Sequence, residues 1–110
     1  MATISLNNAV VTTINTFTVE PENQARALEL LVEIARQLRK TVPGFVSANF
    51  HKSVDGTRVV NYAQYTDHEA AQAVGTKITG EMVDEPIVVE LRNIATPDAR
   101  MYEVCVILED

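Results

Sequence analysis

Two runs rich in β-branched and aromatic residues, FVSANFHKS and TRVVNYAQYT, flank the tetrapeptide Val54-Asp55-Gly56-Thr57. Asp-Gly between apolar runs is a strong hairpin signal, because a tight chain reversal needs positive φ, which glycine adopts without strain. A two-residue turn at Asp55-Gly56 pairs Phe50 with Asn61, Ala48 with Ala63 and Val46 with Tyr65 on one side of a sheet. The other side then carries Phe45, Ser47, Asn49, His51, Val60, Tyr62 and Gln64. The first side is the more apolar and is expected to lie under helices, which places Asn61 and Tyr65 in or beside the interior. An unpaired buried amide costs about 1–3 kcal/mol, so Asn61 is expected to have a hydrogen-bond partner.

The flanking segments supply the remaining layers. VVTTINTFTV, Val10 to Val19, has no breaker and reads as a strand. EPENQ opens a helix with Pro21 in its first turn, and Leu28, Leu31, Val32, Ala35 and Leu38 form an apolar stripe that Pro43-Gly44 ends. Asp67 can cap a second helix, HEAAQAVGTKI, interrupted by Gly75. In DEPIVVELRNIA, three β-branched residues in a row suggest strand, yet Ile87, Val88, Leu91, Ile94 and Ala95 share one helical face and Asp84 with Pro86 resembles a helix start. The expectation is a short helix, followed by a last strand from Ala99 to Leu108 that buries Cys105 as a small core residue.

This order predicts an α+β fold of the ferredoxin-like, split βαβ kind, an antiparallel sheet with helices on one face. A chain of 110 residues fits one domain, here 1–110 with 1–9 as a loose N-terminal tail. One helical layer covers one face only, and apolar groups remain on the other. A second copy stacking sheet against sheet would cover them, so a homodimer is expected.

Composition narrows the function classes. A net charge of −6 with nine dispersed Lys and Arg disfavours nucleic acid. No apolar run is long enough to cross a bilayer, and the start lacks a signal pattern, so no membrane association and a cytoplasmic location are expected. Two histidines, one cysteine and no glycine-rich phosphate loop give no metal or cofactor motif.

The segment VPGFVSANFHKSVDGTRVVNYAQY, Val42 to Tyr65, resembles the antibiotic biosynthesis monooxygenase family, small proteins that form dimeric α+β barrels. PGF, DGT and VVNYAQ stand as that family usually writes them, and the likeness covers roughly Val10 to Ala71 well and the remainder loosely. The resemblance implies that O₂ oxidises an aromatic small molecule, a polycyclic phenol of the anthrone type or a quinol, to a quinone with no cofactor and no metal.

It also implies roles. Asn61 matches the family's strand asparagine, whose amide donates to the substrate oxyanion. Tyr65 stands where the family usually has tryptophan, keeping an aromatic wall for substrate and adding a hydroxyl that can relay a proton. Phe50 helps form that wall. Arg92, in ELRN, matches an ELR of anthrone-oxidising members, where arginine stabilises negative charge; Ala71 falls where such members have a tyrosine. His51 falls on the expected dimer-facing side with Tyr62, and His68 reads as a surface residue. With no tryptophan in the chain and His68 unsupported at a helix start, haem chemistry is not expected. An isomerase or lyase on the same barrel, and a binding protein without turnover, are the other function classes the fold accommodates.

Overall fold

The computed structural model of the protein describes residues 3–6 and 9–109. Strand β1 (Val11–Val19) leads through a 3₁₀ turn (Pro21–Asn23) into α1 (Gln24–Thr41), then β2 (Phe45–Lys52), β3 (Arg58–Tyr65), α2 (His68–Thr79), α3 (Pro86–Ile94) and β4 (Ala95–Tyr102). The four strands lie in the order β2-β3-β1-β4, with every neighbouring pair antiparallel. This is the ferredoxin-like α+β arrangement.

Helix α1 buries Ala27, Leu30, Leu31, Ile34, Ala35 and Leu38. Leu31, Ala35 and Leu38 of the expected stripe are among them, while Leu28 and Val32 flank the seam half-buried. Toward its C-terminal end, Ile34 and Leu38 join Val42, Phe45, Ala63, Tyr65, Ala70, Met82 and Val88 in one core cluster. Toward its start, Ala27 and Leu31 join Val19, Val59 and Ala95 in a second. The β3 members of both are odd-numbered, and alternation places Asn61 on the same helix-facing side. On the solvent side, Arg26 forks onto Glu90 of α3, with Nη2 to Oε1 at 2.7 Å, and holds that carboxyl below its usual range.

The hairpin keeps the expected pairing of Phe50 with Asn61 and Ala48 with Ala63. Its connection is longer than a two-residue turn: Ser53 N donates to Arg58 O at 2.9 Å across the loop Val54–Thr57, and Gly56 takes φ +84°. Asp55 accepts from the Thr57 hydroxyl, the Ser53 hydroxyl and the Thr57 N–H, which together hold its carboxyl down to about 2.

Near the other end the ladder is irregular between Phe45 and Ser47, so Phe45, not Val46, opposes Tyr65. The extra residue reverses the alternation. Phe45, expected on the far side, therefore enters the core and packs against Tyr65 with ring centroids 4.9 Å apart and planes at 50°. Gly44 makes this entry possible. It has φ +88°, its carbonyl accepts from Thr66 N at 2.8 Å, and a Cβ there would overlap Thr66 Oγ1 and lie 2.9 Å from Ala70 Cβ.

Helix α2 starts as expected, with Asp67 Oδ1 accepting from Ala70 N at 2.8 Å. The short helix α3 also forms, and β4 follows it with no intervening residue. Here the structure corrects the sequence reading: the last strand runs Ala95–Tyr102 rather than Ala99 to Leu108. Pro97 disguises its start, and is tolerated because β4 is an edge strand with a ladder on one side only. The pairing ends at Thr12 with Tyr102, near the start of β1, so the ladder has no partner left for the residues that follow. Cys105 is exposed rather than buried, as are Val106 and Leu108. Of the leading segment expected to be loose, Thr3 O accepts from the buried Gln64 Nε2 at 2.9 Å, while residues 1, 2, 7 and 8 lie outside the described residues.

Candidate functional site

Four residues apart on β3, Asn61 and Tyr65 project to the same helix-facing side, and both are buried, at 8% and 2% exposure. Asn61 Oδ1 accepts from the backbone N–H of Asn49 at 3.1 Å. That N–H can only donate, so the contact fixes which end of the amide faces β2. Asn61 Nδ2 then points away with no hydrogen-bond partner among the described residues. The expected partner of Asn61 is thus backbone, and it occupies the acceptor end while leaving the donor end free.

Tyr65 lies against Phe45, and burial raises its phenol pKa above the ordinary value. The Thr13 hydroxyl opposes that shift through a contact that falls short of hydrogen-bond geometry, for Thr13 Oγ1 is itself buried without a partner. The phenol is therefore a neutral donor throughout the physiological range. Because the folded pKa lies above an unfolded value of about 10, Tyr65 favours the folded state below pH ~10 and loses that contribution as pH rises through the folded value. Denaturant titrations repeated at rising pH should show stability declining above pH ~10, with the decline shallower in Tyr65→Phe.

Phe50 sits opposite Asn61 on β2, half-buried against the second core cluster. Arg92 stands apart from this group. It is exposed on α3, and its Nη1 donates to Val83 O at 3.3 Å, with no bond to Asn61 or Tyr65. Ala71, half-buried, packs against the first core cluster. His51 is exposed on the opposite face of the sheet, and His68 Nδ1 lies 3.4 Å from Met101 Sδ at the surface.

Two site-facing polar residues were not singled out from the sequence. The register places Asn15 of β1 directly across from Asn61, and Thr13 across from Ala63. Their oxygens, Asn15 Oδ1 and Thr13 Oγ1, are buried without a partner. The available signal was the alternation Val11, Thr13, Asn15, Phe17, Val19, which sets two polar groups in an otherwise apolar row.

A separate cleft of about 430 Å³ opens over the other side of the sheet, where Thr12, Tyr62, Gln64, His68, Met101 and Tyr102 are among its lining residues. None of Phe50, Asn61, Tyr65 and Arg92 lines it. The phenol oxygen of Tyr62 is buried and unpaired among the described residues. Among the described residues, no group of three His, Cys, Asp or Glu is placed to hold a metal, and no helix is long and apolar enough to cross a membrane.

The sequence profile described as Antibiotic biosynthesis monooxygenase matches residues 10–74, more than half of the chain. The chain belongs to the antibiotic biosynthesis monooxygenase family. The matched span runs from β1 into α2 and contains Asn15, Phe50, Asn61 and Tyr65, whereas Arg92 lies beyond it. Within the family, the chain is 49% identical over 65 residues to the tetracenomycin-F1 monooxygenase of Streptomyces glaucescens, a stretch covering 59% of this chain and 58% of that protein. The chain thus matches little more than half the length of this relative. Among solved structures, it is similar to the ActVA-Orf6 monooxygenase of Streptomyces coelicolor in complex with nanaomycin D, with 27% identity, a TM-score of 0.73 and coverage of 97% of this chain and 99% of that one. SnoaB of Streptomyces nogalater, a cofactor-independent oxygenase, shares the fold at 23% identity with a TM-score of 0.65, covering 92% of this chain and 98% of that one.

Proposed function

We propose that this protein is a cofactor-independent monooxygenase that oxidises a polycyclic phenol of the anthrone type, or a quinol, to a quinone with O₂. The observation that carries this reading is the free Nδ2 donor of Asn61, aimed by the Asn49 N–H and set on the same face as the buried phenol of Tyr65. Its membership of the family and its likeness to the tetracenomycin-F1 monooxygenase support it.

The chemistry follows from the substrate and four protein groups. An anthrone loses a proton to solvent water to give an electron-rich enolate, and Asn61 Nδ2 donates to its oxygen, stabilising the anion. The enolate carbon gives one electron to O₂, and the resulting radical pair combines to form a C–O bond. The neutral phenol of Tyr65 protonates the peroxide and regains its proton from solvent. Loss of water, with the remaining hydrogen of that carbon, leaves the new carbonyl, so one O₂ yields one quinone and one water. Phe50 and Phe45 supply apolar walls beside Asn61 and Tyr65.

Oxygen uptake by chelator-treated protein with the anthrone dithranol tests this. The expected result is uptake well above the spontaneous rate, with one O₂ consumed per quinone formed. Uptake no faster than the spontaneous rate across a panel of anthrones and quinols would sink the reading, and isomerisation of a bound substrate without O₂ would move the protein to another class.

The same reading includes a homodimer. The face away from the helices keeps Ile14, Val60 and Tyr62 only half-buried, and Val106 and Leu108 are exposed at 68% and 91%. A second copy, presenting the same half-buried apolar groups, would cover such a face. Light scattering should return twice the chain mass of 12.1 kDa, and the single-chain mass would refute the stacking of two sheets.

A further inference from the structure

Asn61 and Tyr65 are 8% and 2% exposed, so a ring system reaches them only when a covering element moves aside. The three helices are not held equally. Helix α1 is anchored by six buried side chains. Helix α3 buries only Val88, yet Arg26 forks onto its Glu90 and β4 follows it with no intervening residue. Helix α2 buries only Ala70, in its first turn beside the Asp67 cap, and among the described residues no ion pair joins it to another helix. Farther along, Ala71, Val74 and Ile78 rest half-buried on the cluster that contains Tyr65. This helix is thus a cover over the site that is pinned at one end.

Gly75 weakens the other end. It is exposed in mid-helix without a positive φ, and a Cβ there would meet nothing within 4 Å. Neither the backbone nor the packing requires glycine at this position. Glycine gives up the most backbone freedom on ordering, and alanine in a helix interior favours the helical state about fivefold over it. The Thr79 hydroxyl also donates to the Gly75 carbonyl at 2.9 Å, a back-bond of the kind that slightly destabilises or bends a helix.

We propose that residues 75–79 are the gate of the interior, opening away from the Tyr65 cluster while the capped first turn of α2 stays seated, and that Gly75 sets how often they open. The identity of the ligand admitted rests on the oxygenase reading; the opening rests on α2 alone. Few buried contacts are broken when this half of the helix lifts, because Ile78 is its one side chain on the cluster and is itself half-buried. Segments with so little buried apolar contact open locally at a small fraction of the global unfolding free energy. Gly75 touches neither the core nor a site residue, so it acts on passage through the gate and not on the contacts of the bound ligand. Stabilising the closed helix should therefore slow entry and exit by the same factor and leave affinity unchanged.

Hydrogen exchange and binding kinetics of Gly75→Ala test this. In wild type, and corrected for intrinsic rates, the amides of residues 75–79 should exchange at least about tenfold faster than those of buried α1 residues. The variant should slow them about fivefold. Stopped-flow binding of a dihydroxyanthraquinone should show association and dissociation both slowed about fivefold, with Kd unchanged. Residues 75–79 protected as strongly as α1 in wild type would overturn the proposal, since they would then open only with the whole molecule. So would wild-type binding rates in the variant, the result for an alanine that merely stabilises a helix. Slower association with unchanged dissociation would be a loss of affinity and would overturn it too. A quinone that fails to bind wild type counts against the oxygenase reading, and the exchange measurements then decide the gate by themselves.

Discussion

Asn61→Ala should lower kcat for anthrone oxidation by about 10²–10³-fold, while losing the acceptor for Asn49 N–H should cost about 1 kcal/mol of stability. The size follows from losing a preorganised donor at the atom where charge develops. Because the donor acts on the anion more than on the neutral substrate, kcat should fall much further than KM rises. Asn61→Asp sharpens the test. It keeps the shape and the acceptor for Asn49 N–H, but replaces the free Nδ2 donor with a negative oxygen facing the forming anion. It should be no more active than the alanine variant. Stopped oxygen-electrode traces with both variants, corrected for spontaneous oxidation, would decide; an alanine variant retaining more than a tenth of wild-type kcat would remove Asn61 from the chemistry.

Gly44→Ala carries the largest expected cost in stability, roughly 3 kcal/mol. Two effects combine there. The backbone at φ +88° disfavours any side chain, and the added Cβ would run into Thr66 Oγ1 and Ala70 Cβ, at the start of α2. Gly56→Ala is the control. It has a similar φ of +84°, but its Cβ would meet Pro21 Cβ at an ordinary 3.4 Å, so only the backbone strain of about 1 kcal/mol remains. Urea titrations of the two variants should differ in midpoint with unchanged slopes. Equal losses would show that the clash is relieved by movement of the Thr66 side chain.

Gly44 also marks where the sequence ceased to report the register. From Lys52 back to Ser47 the hairpin pairs as its turn dictates, because alternation and loop length agree. The irregularity at Val46 depends on how the chain leaves α1 through Gly44 and Phe45, a tertiary condition that no local pattern states. Helix α3 was legible because its apolar residues repeat at helical spacing and Pro86 suits a first turn. The start of β4 was not, since Pro97 reads as a breaker unless the strand is known to lie at an edge. Asn61 and Tyr65 were placed on the helix-facing side by alternation within one hairpin. Asn15 was missed for a related reason: β1 reaches β3 through a helix and a second strand, so no turn length encodes which residue faces Asn61. Arg92 was carried by a three-residue likeness alone, and the structure holds it at the surface on Val83 O.

The direct junction of α3 with β4 leaves the helix no slack. Ile94 closes α3 and Ala95, buried in the second core cluster, opens the strand that only β1 restrains. Val88 and Leu91 of the same helix press on the residues around Tyr65 and Phe50. A lift of α3 would therefore act as a lever on the β1–β4 seam, with Ala95 as its pivot, so that opening the interior and loosening one margin of the sheet would be a single movement.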